Sequence, residues 1–483
     1  MSNDTRSQRA LLDLRAAVIY ITCTTPEYDW QRPYNTNMPS HMSHGTAFVM
    51  KGCPQKRDAI VALTAYHCVD RAVKIEAKLH SSNPRDEAGG RAYSSRVIAY
   101  SQSLDAALIE IDCPYPENLK PIAQGSSDHL ITDDKILVAG FPLQENFSVT
   151  TGFVSSRQDD VIRIDASVSP GNSGGPVILD RDQTVIGILH GSFSDVNAQN
   201  MNLVYPITEI IKVLLHNFSR SQLSSTKPFV SISASSFNFV LSSSTPRAII
   251  ENVRADGGEV GSYCEYVTPF SNAYKIGLRE GDIVCSIDGY QLDVYGRINV
   301  PWWKLDALSY HTLLGRKSVG SETRIKFFSM KNRKMIGDTR TDSGGVFVTQ
   351  EDLNIYKDID LQKDGSPYWK HRGVVLQPLT KQMFYESGTL SRRLYFLMSR
   401  PSVRLKSLLV CTHVGDSPFS VGSRGLKPND VIVAVNDTPV NGGDLVSFQL
   451  QFDEAILSGC VKLTLYTGDI ACASSQDLAV ATK

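Results

Sequence analysis

The first 210 residues contain short apolar runs at regular intervals, and this pattern restricts the possible folds more than any other feature of the chain. Each run is four to six residues long, and turn-forming residues separate the runs. Helices of globular proteins are usually longer and repeat their apolar positions every three or four residues. Short runs at this spacing predict a β-sandwich or β-barrel rather than alternating strands and helices. The predicted strands are 17–22, 46–50, 59–63, 106–111, 135–139, 161–164 and 184–189.

A longer apolar segment follows these runs and has the spacing of a helix. Between residues 206 and 218 the apolar positions fall three and four residues apart, so they share one helical face. The next nine residues, 219–227, are polar and rich in serine, which is typical of a linker. We therefore predict that one domain ends near residue 218 and that another begins near residue 228.

The second half of the chain contains a weak internal repeat. Residues 277–289 (GLREGDIVCSIDG) are echoed 148 positions later by residues 425–437 (GLKPNDVIVAVND). Each copy has a Gly-Leu-basic turn, an aspartate, a β-branched run and a second turn. This period is far longer than that of a solenoid repeat, so it indicates two copies of one small domain. The predicted domains are 1–218, 228–345 and 346–483.

Composition excludes several classes of protein. The chain carries 49 basic and 50 acidic residues, so electrostatics gives no reason to expect nucleic acid as a partner. No apolar run is long enough for a transmembrane helix, and we expect no membrane insertion. The nine cysteines form no C-x-x-C pair, and we expect neither a metal nor an organic cofactor. Because we find no signal-type segment, we expect reduced thiols and an intracellular, cytoplasmic location.

The segment 169–176 (SPGNSGGP) carries the strongest chemical signal. A serine hydroxyl becomes a nucleophile only beside a base, and its reaction needs backbone N–H groups that face the developing oxyanion. Glycines on both sides of Ser173 allow the sharp backbone turn that presents those donors. We predict Ser173 as the nucleophile and Gly171, Asn172 and Ser173 as the oxyanion loop, with the amides of Gly171 and Ser173 as the donor pair.

The base and the acid must come from other segments. The segment 64–68 follows the predicted strand 59–63 and puts His67 at its end. There are nine other histidines, and it is the serine motif elsewhere in the chain that favours a catalytic role for His67. An acid has to hold the imidazole in the correct tautomer and stabilise its cation. Asp105 precedes an apolar strand and can enter the interior, whereas its rival Asp112 ends that strand at a turn. We favour Asp105.

The chain order His67, Asp105, Ser173 is that of the chymotrypsin-like proteases. Within them the sequence resembles the HtrA/Deg branch of trypsin-like serine proteases. The resemblance is carried by 150–155 (TTGFVS), 165–176 (DASVSPGNSGGP), 185–188 (VIGI) and 204–207 (VYPI). The segment 64–68 (TAYHC) is closer to the T-A-A-H-C of digestive proteases than to the usual HtrA form.

This resemblance implies a mainly β fold, with a chymotrypsin-like double β-barrel protease domain followed by two α+β PDZ-like domains. It places Ser167 at the base of the S1 pocket and Leu189, His190 and Gly191 in its wall. A neutral residue at the base disfavours basic P1 side chains, so we expect a small or medium apolar one. A solvent-facing loop position explains His190 equally well.

PDZ domains of this type bind an extended peptide, often a C-terminal one, by adding it to a sheet edge. The resemblance assigns the peptide-binding strands to 227–232 and 371–376. The candidate contacts are Phe229, Val230, Ser231, Ile232, Gly373, Val374 and Val375. Neither segment has the usual glycine-rich loop, so a packing or oligomer-contact role remains open for both domains.

Three further points are expectations. The resemblance implies a homo-oligomer, a trimer or a multiple of it. It also suggests a disulfide between Cys53 and Cys68, but Cys53 follows a strand that it should precede, and we predict free thiols. The adjacent Trp302 and Trp303 are either an interface anchor or part of a core, and we favour the core.

Two other functions are compatible with the sequence. The chain could be a latent or gated protease that acts mainly as a peptide-binding or chaperone scaffold. It could also be a virus-type processing protease, although the two PDZ-like repeats argue against that. Our leading hypothesis is a serine endopeptidase that hydrolyses misfolded or unfolded polypeptides.

Overall fold

The computed structural model describes residues 13–27, 29, 31–35, 40–54, 59–79, 91–114, 119–144, 146–158, 161–192, 202–215, 230–231, 239–267, 271–303, 307–317, 322–337, 347–349, 368–379, 394, 408–420, 425–442 and 444–479. The predicted linker 219–227 lies outside this set. The chain divides into two compact units. The first unit comprises Met1–Thr24, Met42–Asp70 and Lys74–Asp352, and the second comprises Thr25–His41, Arg71–Val73 and Leu353–Lys483.

Six strands close into a first antiparallel barrel. The sheet order is β5-β4-β1-β2-β3-β6, and pairing of β5 with β6 closes it. The short helix α1, Tyr66–Val69, directly follows β3. The strands are β1 Val18–Pro26, β2 Ser40–Phe48, β3 Ile60–Ala65, β4 Lys74–Lys78, β5 Ala92–Ser101 and β6 Ala106–Ile111.

Six more strands form a second closed barrel, in the order β11-β8-β9-β10-β13-β12 with β11 paired to β12. β7, Ala123–Gln124, adds to it in parallel beside β12. A 3₁₀ turn, Pro142–Gln144, follows β8. The other strands are β8 Lys135–Gly140, β9 Ser148–Arg157, β10 Ile162–Ile164, β11 Pro176–Leu179, β12 Thr184–Ser192 and β13 Asn202–Pro206.

The barrels confirm the predicted mainly β, double-barrel class. All seven strands predicted from apolar runs overlap observed strands, and β6 has the predicted bounds. The predicted closing helix is present as α2, Ile207–Ile210, which continues as a π-helical turn over Ile211–Leu215. Its apolar face is buried, as the spacing indicated.

The third sheet covers most of the first predicted small domain. Its order is β15-β16-β17-β21-β22, with β18 paired to β17 and β23 to β21, and β19 pairs with β20 beside it. The strands are β15 Phe239–Leu241, β16 Ser262–Val267, β17 Ile283–Ile287, β18 Tyr290–Gln291, β19 Arg297–Ile298, β20 Leu308–Ser309, β21 Glu322–Ser329, β22 Lys334–Ile336 and β23 Phe347–Thr349. The helices are α3 Arg247–Ala255, α4 Asn272–Lys275 and α5 Tyr310–Gly315.

The fourth sheet lies in the second unit, in the order β24-β25-β26-β27-β29-β30 with β28 paired to β27. The strands are β24 Trp369–His371, β25 Val374–Pro378, β26 Leu409–Val414, β27 Val431–Val435, β28 Thr438–Pro439, β29 Cys460–Leu465 and β30 Ile470–Ser474. The helices are α6 Leu445–Leu457 and α7 Ser475–Ala479, with a 3₁₀ turn at Pro418–Ser420.

The two copies of the internal repeat make equivalent hydrogen bonds, one set beside the third sheet and one beside the fourth. Asp282 Oδ2 accepts the N–H of Arg279, and Asp430 Oδ2 accepts the N–H of Lys427, both at 2.8 Å. The peptide oxygens of the same two aspartates each accept a strand N–H, from β16 and β26 respectively, again at 2.8 Å. The repeated aspartate therefore closes the turn before the central strand in both copies, which explains its place in the motif.

The strand predicted to bind peptide in the first small domain lies only partly within the described residues. Val230 and Ser231 form β14, which pairs in parallel with β5 of the first barrel instead of joining the third sheet. Phe229 and Ile232 lie outside the described residues. The edge of the third sheet is β15, and there the Leu241 N–H donates to the buried Tyr310 hydroxyl at 2.9 Å.

In the second small domain two of the predicted peptide-binding residues, Val374 and Val375, lie on a strand that is paired on both sides. Val374 and Val375 of β25 pair with β24 on one side and with β26 on the other. Arg372 and Gly373 form the tight turn between β24 and β25, and both have positive φ. Addition of a peptide strand requires an unpaired edge, which β25 lacks.

Trp302 and Trp303 belong to the core of the first small domain and also contact the protease barrels. Trp303 is 7% exposed and Trp302 packs against the same core. The Arg316 guanidinium stacks on both indoles, 4.6 Å and 5.3 Å from the ring centroids. Its Nε donates to Glu209 of α2 at 3.0 Å, and Nη2 donates to Asp128 at 2.8 Å. A buried ion cluster thus joins the small domain to the second barrel.

Two further expectations concern thiols and membranes. Cys53 and Cys68 are free thiols, as are the other seven cysteines. Within the part of the chain that the structure describes, no helix has the length and apolar character needed to cross a membrane.

Candidate active site

His67 is the second residue of α1, immediately after β3 reaches its end at Ala65. The strand is wholly buried, whereas the His67 side chain is 41% exposed. The imidazole therefore stands at the end of a buried strand with one face open to solvent. This is the placement that the sequence predicted for the base.

Asp105 lies in the turn before β6 and is 6% exposed. Its Oδ1 accepts the His67 N–H at 2.8 Å, and its Oδ2 bonds to His67 Nδ1 at 2.7 Å. A positive φ of 44° at Asp105 turns the carboxylate toward α1. Its rival Asp112 is exposed at the end of β6. The structure thus brings His67 together with Asp105.

A second histidine, His190 of β12, binds the same carboxylate. Its Nδ1 lies 2.5 Å from Asp105 Oδ2, and its ring meets the His67 ring edge-to-face at 4.9 Å. Burial alone raises the pKa of Asp105, but hydrogen bonds from His190 and His67 outweigh burial and hold that pKa below its usual value. The bond to Asp105 in turn raises the pKa of His190.

The serine loop is held by glycines with positive φ and by one buried threonine. Gly171 has φ 102° and Gly174 has φ 84°, both in the region that favours glycine. A Cβ at Gly174 would lie 2.3 Å from the Thr46 carbonyl oxygen. The Thr46 N–H donates to the Ser173 carbonyl at 2.8 Å, so β2 of the first barrel fixes the loop.

Thr46 also sets the direction of the peptide group that follows Gly171. Its Oγ1 donates to the Gly171 carbonyl at 2.7 Å, which turns that oxygen toward Thr46. The Asn172 N–H donates to the Ser169 carbonyl at 3.1 Å. Of the three predicted oxyanion residues, Asn172 therefore has an engaged amide, and Gly171 and Ser173 are the better donor pair.

The Ser173 hydroxyl donates to the His190 carbonyl at 3.0 Å. His190 lies at an irregularity of the β12–β13 ladder, between the paired residues Leu189 and Gly191. Its carbonyl is therefore available to the serine, and rotation about the Ser173 side-chain bond would redirect the hydroxyl. In this arrangement His67 is hydrogen-bonded to Asp105, while the Ser173 hydroxyl is hydrogen-bonded to the neighbouring strand β12.

The predicted S1 residues are only partly brought together. Leu189 is buried, and a Cβ at Gly191 would lie 3.5 Å from the Ser173 hydroxyl, so Gly191 faces the nucleophile. Ser167 is exposed on the segment after β10. His190 points to Asp105, which neither of its two sequence-based interpretations predicted.

Comparison with known proteins shows what the region around this site is similar to. Residues 45–188 match the family model described as a trypsin-like peptidase domain. This match and the names of the relatives below support a trypsin-like protease domain of the HtrA/Deg type. The chain is 25% identical over 332 residues to Protease Do-like 2, chloroplastic, of Arabidopsis thaliana, covering 66% of this chain and 49% of that protein. Over 150 residues it is 31% identical to Protease Do-like 1, chloroplastic, of the same plant, covering 29% of this chain and 32% of that protein.

A bacterial relative is similar to a comparable degree. A protein of Chlamydia muridarum named "Probable periplasmic serine endoprotease DegP-like" is 26% identical over 261 residues, covering 50% of this chain and 48% of its own length. The chain thus spans about half the length of two of these curated relatives and 32% of the length of the third. A solved variant of the HtrA-type protease AlgW with a decapeptide covers 71% of this chain and 96% of its own, with a TM-score of 0.50 and 20% identity. At that identity the likeness supports the fold alone.

The names of these relatives overturn the expected cytoplasmic location. Two are named as chloroplast proteins and one as a periplasmic protein. The expectation rested on the absence of a recognisable signal segment and on cysteine usage. It is wrong, because a location inferred from a missing signal carries less weight than the named compartments of similar proteins.

Proposed function

We propose that this protein is a serine endopeptidase that cleaves polypeptides through His67, Asp105 and Ser173. One observation carries the proposal: Asp105, buried at 6% exposure, bonds both the backbone N–H and Nδ1 of His67. A carboxylate in that position fixes the imidazole tautomer and leaves Nε2 to act as a base. The relatives named as a Do-like protease and as a serine endoprotease support the same activity.

In the proposed reaction His67 Nε2 removes the Ser173 proton as the hydroxyl oxygen attacks the scissile carbonyl. Asp105 stabilises the imidazolium that forms, and it is already ionised because its pKa is low. The N–H groups of Gly171 and Ser173 stabilise the oxyanion. His67 then donates its proton to the leaving amine, and water completes hydrolysis through the same base.

Substrate range and assembly follow from the resemblance and are part of the proposal. Unfolded or misfolded polypeptides are the substrates, with a small or medium apolar P1 residue. The protease domain comprises 1–218, the first small domain 228–345 and the second 346–483, and the protein assembles as a trimer or a multiple of it. Because β25 is paired on both edges, we assign the second small domain a regulatory and packing role.

The test compares wild type with Ser173→Ala on a denatured proteome, with new N-termini of the products identified. Ser173→Ala should lose at least ~10⁴-fold of the cleavage rate while the protein stays folded. Asp112→Asn is the matched control, and it should cleave at the wild-type rate. Equal cleavage by wild type and Ser173→Ala would refute the proposal.

One observation favours a second candidate, a gated protease. Ser173 donates to the His190 carbonyl, so the nucleophile has to rotate before it can meet His67. If peptide binding drives that rotation, a fluorophosphonate probe will label Ser173 only after a peptide is added. Labelling of the resting protein would support the endopeptidase without gating.

A further inference from the structure

The side chains of His67, Asp105 and His190 converge on one point, although they come from three separate segments. One donor atom from each lies within 4.8 Å of the others. Asp105 Oδ2 is the shared centre, with His67 Nδ1 at 2.7 Å and His190 Nδ1 at 2.5 Å. A protease triad needs one imidazole on its carboxylate, and the second imidazole transfers no proton in the reaction proposed above.

Two imidazoles and one carboxylate are the donors that zinc accepts in open sites, where water completes the tetrahedron. We propose that His67, Asp105 and His190 form a regulatory site for a zinc-class divalent ion. Hard cations such as Mg²⁺ prefer oxygen-only sites and are not expected to bind. Nitrogen and oxygen ligands of zinc lie about 2.0–2.2 Å from the metal, which puts tetrahedral donors about 3.3 Å apart.

The two histidine nitrogens can move away from Asp105 Oδ2 to that spacing. Each nitrogen has to move less than about 1 Å away from Asp105 Oδ2. The His67 and His190 side chains are 41% and 37% exposed, so both rings have room to shift and solvent can supply the fourth ligand. Asp105 is held by its own bond to the His67 backbone, which keeps the carboxylate in place.

Metal binding at this point would switch the protease off. In the neutral His67 ring the Nδ1 proton faces Asp105. When the metal takes the Nδ1 lone pair of a neutral His190 ring, the proton on that nitrogen moves to the Nε2 of the same ring. When it takes the Nδ1 lone pair of His67, the His67 proton likewise moves to Nε2, so neither ring changes its proton count. His67 Nε2 then has no lone pair to accept the Ser173 proton. The binding of the ion stands on the geometry alone, whereas its inhibitory effect rests on the proposed function.

The binding test uses the full chain with Ser173→Ala, so that self-cleavage cannot interfere. Co²⁺ is the probe, because four-coordinate Co²⁺ has intense visible bands. We expect one Co²⁺ per chain with these bands, displaced by Zn²⁺ and unaffected by Mg²⁺. His190→Gln should weaken binding at least ~10-fold. His190→Cys keeps a zinc ligand and should retain the bands, and His129→Gln, at an exposed histidine remote in sequence, should bind as the parent does.

The outcomes separate the two proposals. Failure to bind Co²⁺, or equal binding by His190→Gln and the parent, overturns the metal site. If Co²⁺ binds as expected but wild type cleaves nothing, the metal site stands and the protease proposal fails. If wild type is active, Zn²⁺ should inhibit it reversibly, with a chelator restoring turnover. Equal Zn²⁺ inhibition of wild type and an active His190→Gln variant would also overturn the inference.

Discussion

Replacing Arg316 with alanine would remove the central cation of the cluster that joins the first small domain to the second barrel. The Arg316 side chain is 4% exposed, and its partners Glu209 and Asp128 are 6% and 15% exposed. Loss of one partner of a buried ion pair costs about 3–5 kcal/mol, because the remaining charge is left without compensation. Stacking of the guanidinium on two indoles is lost as well.

Arg157 lowers the free-energy cost of removing Arg316 but does not cancel it, because it also pairs with Glu209. Its Nη2 lies 3.7 Å from Glu209 Oε1, which is an ion pair without a short hydrogen bond. We therefore expect Arg316→Ala to lose about 3 kcal/mol of unfolding free energy, near the lower end of that range. The assay is urea unfolding in a Ser173→Ala background, followed by tryptophan fluorescence, in which Trp302 and Trp303 are two of the four tryptophans of the chain.

Arg333→Ala is the matched control. Arg333 also makes a two-point bond to a carboxylate, Asp256, but its side chain is 71% exposed. Such a surface pair contributes about 1 kcal/mol or less. If Arg316→Ala were no more destabilising than Arg333→Ala, the buried cluster would not be what fixes the small domain to the barrel.

Two other substitutions test single contacts. Tyr310→Phe leaves the Leu241 N–H without its buried acceptor and should lower the unfolding free energy by about 1–3 kcal/mol; unchanged urea stability would show that this bond is unimportant. Gly174→Ala places a Cβ 2.3 Å from the Thr46 oxygen and should lower peptide turnover by ~100-fold or more through displacement of Ser173. Gly257→Ala also has positive φ but no neighbour within 4 Å of its Cβ, and turnover should not change; similar losses for both glycine variants would contradict the steric argument.

The triad residues could be chosen from sequence because each carries a local signal. His67 follows a wholly apolar strand, Asp105 precedes another, and Ser173 lies between glycines that the structure places at positive φ. These signals depend on strand ends and turn chemistry, which are properties of neighbouring residues. Closure of each barrel then follows from the number of short strands.

The position of His190 could not be predicted in the same way. Its contact with Asp105 joins residues 85 positions apart and depends on how β12 of the second barrel approaches the first. No local pattern encodes that approach. Thr46 was missed for the same reason, since its hydrogen bond to Gly171 spans 125 positions.

The small domains show which part of a strand prediction is unreliable. The repeat correctly indicated two copies of one turn and strand, because the aspartate bonds are local. The sheet that a short strand joins is not local, and Val230–Ser231 pairs with the first barrel instead. The Arg372-Gly373 turn was a usable signal, because a glycine in a two-residue turn indicates a hairpin.

Fluorophosphonate labelling of the resting wild-type protein, with the modified residue identified by mass spectrometry, tests the central claim most directly. The account predicts a single adduct on Ser173, lost in His67→Ala and strongly reduced in Asp105→Asn. It predicts labelling without added peptide, because the Pro170 carbonyl already accepts the Leu143 N–H at 2.8 Å, which turns the Gly171 N–H of the same peptide group the opposite way. An adduct on another residue, or equal labelling of wild type and His67→Ala, would contradict the assignment of the catalytic site.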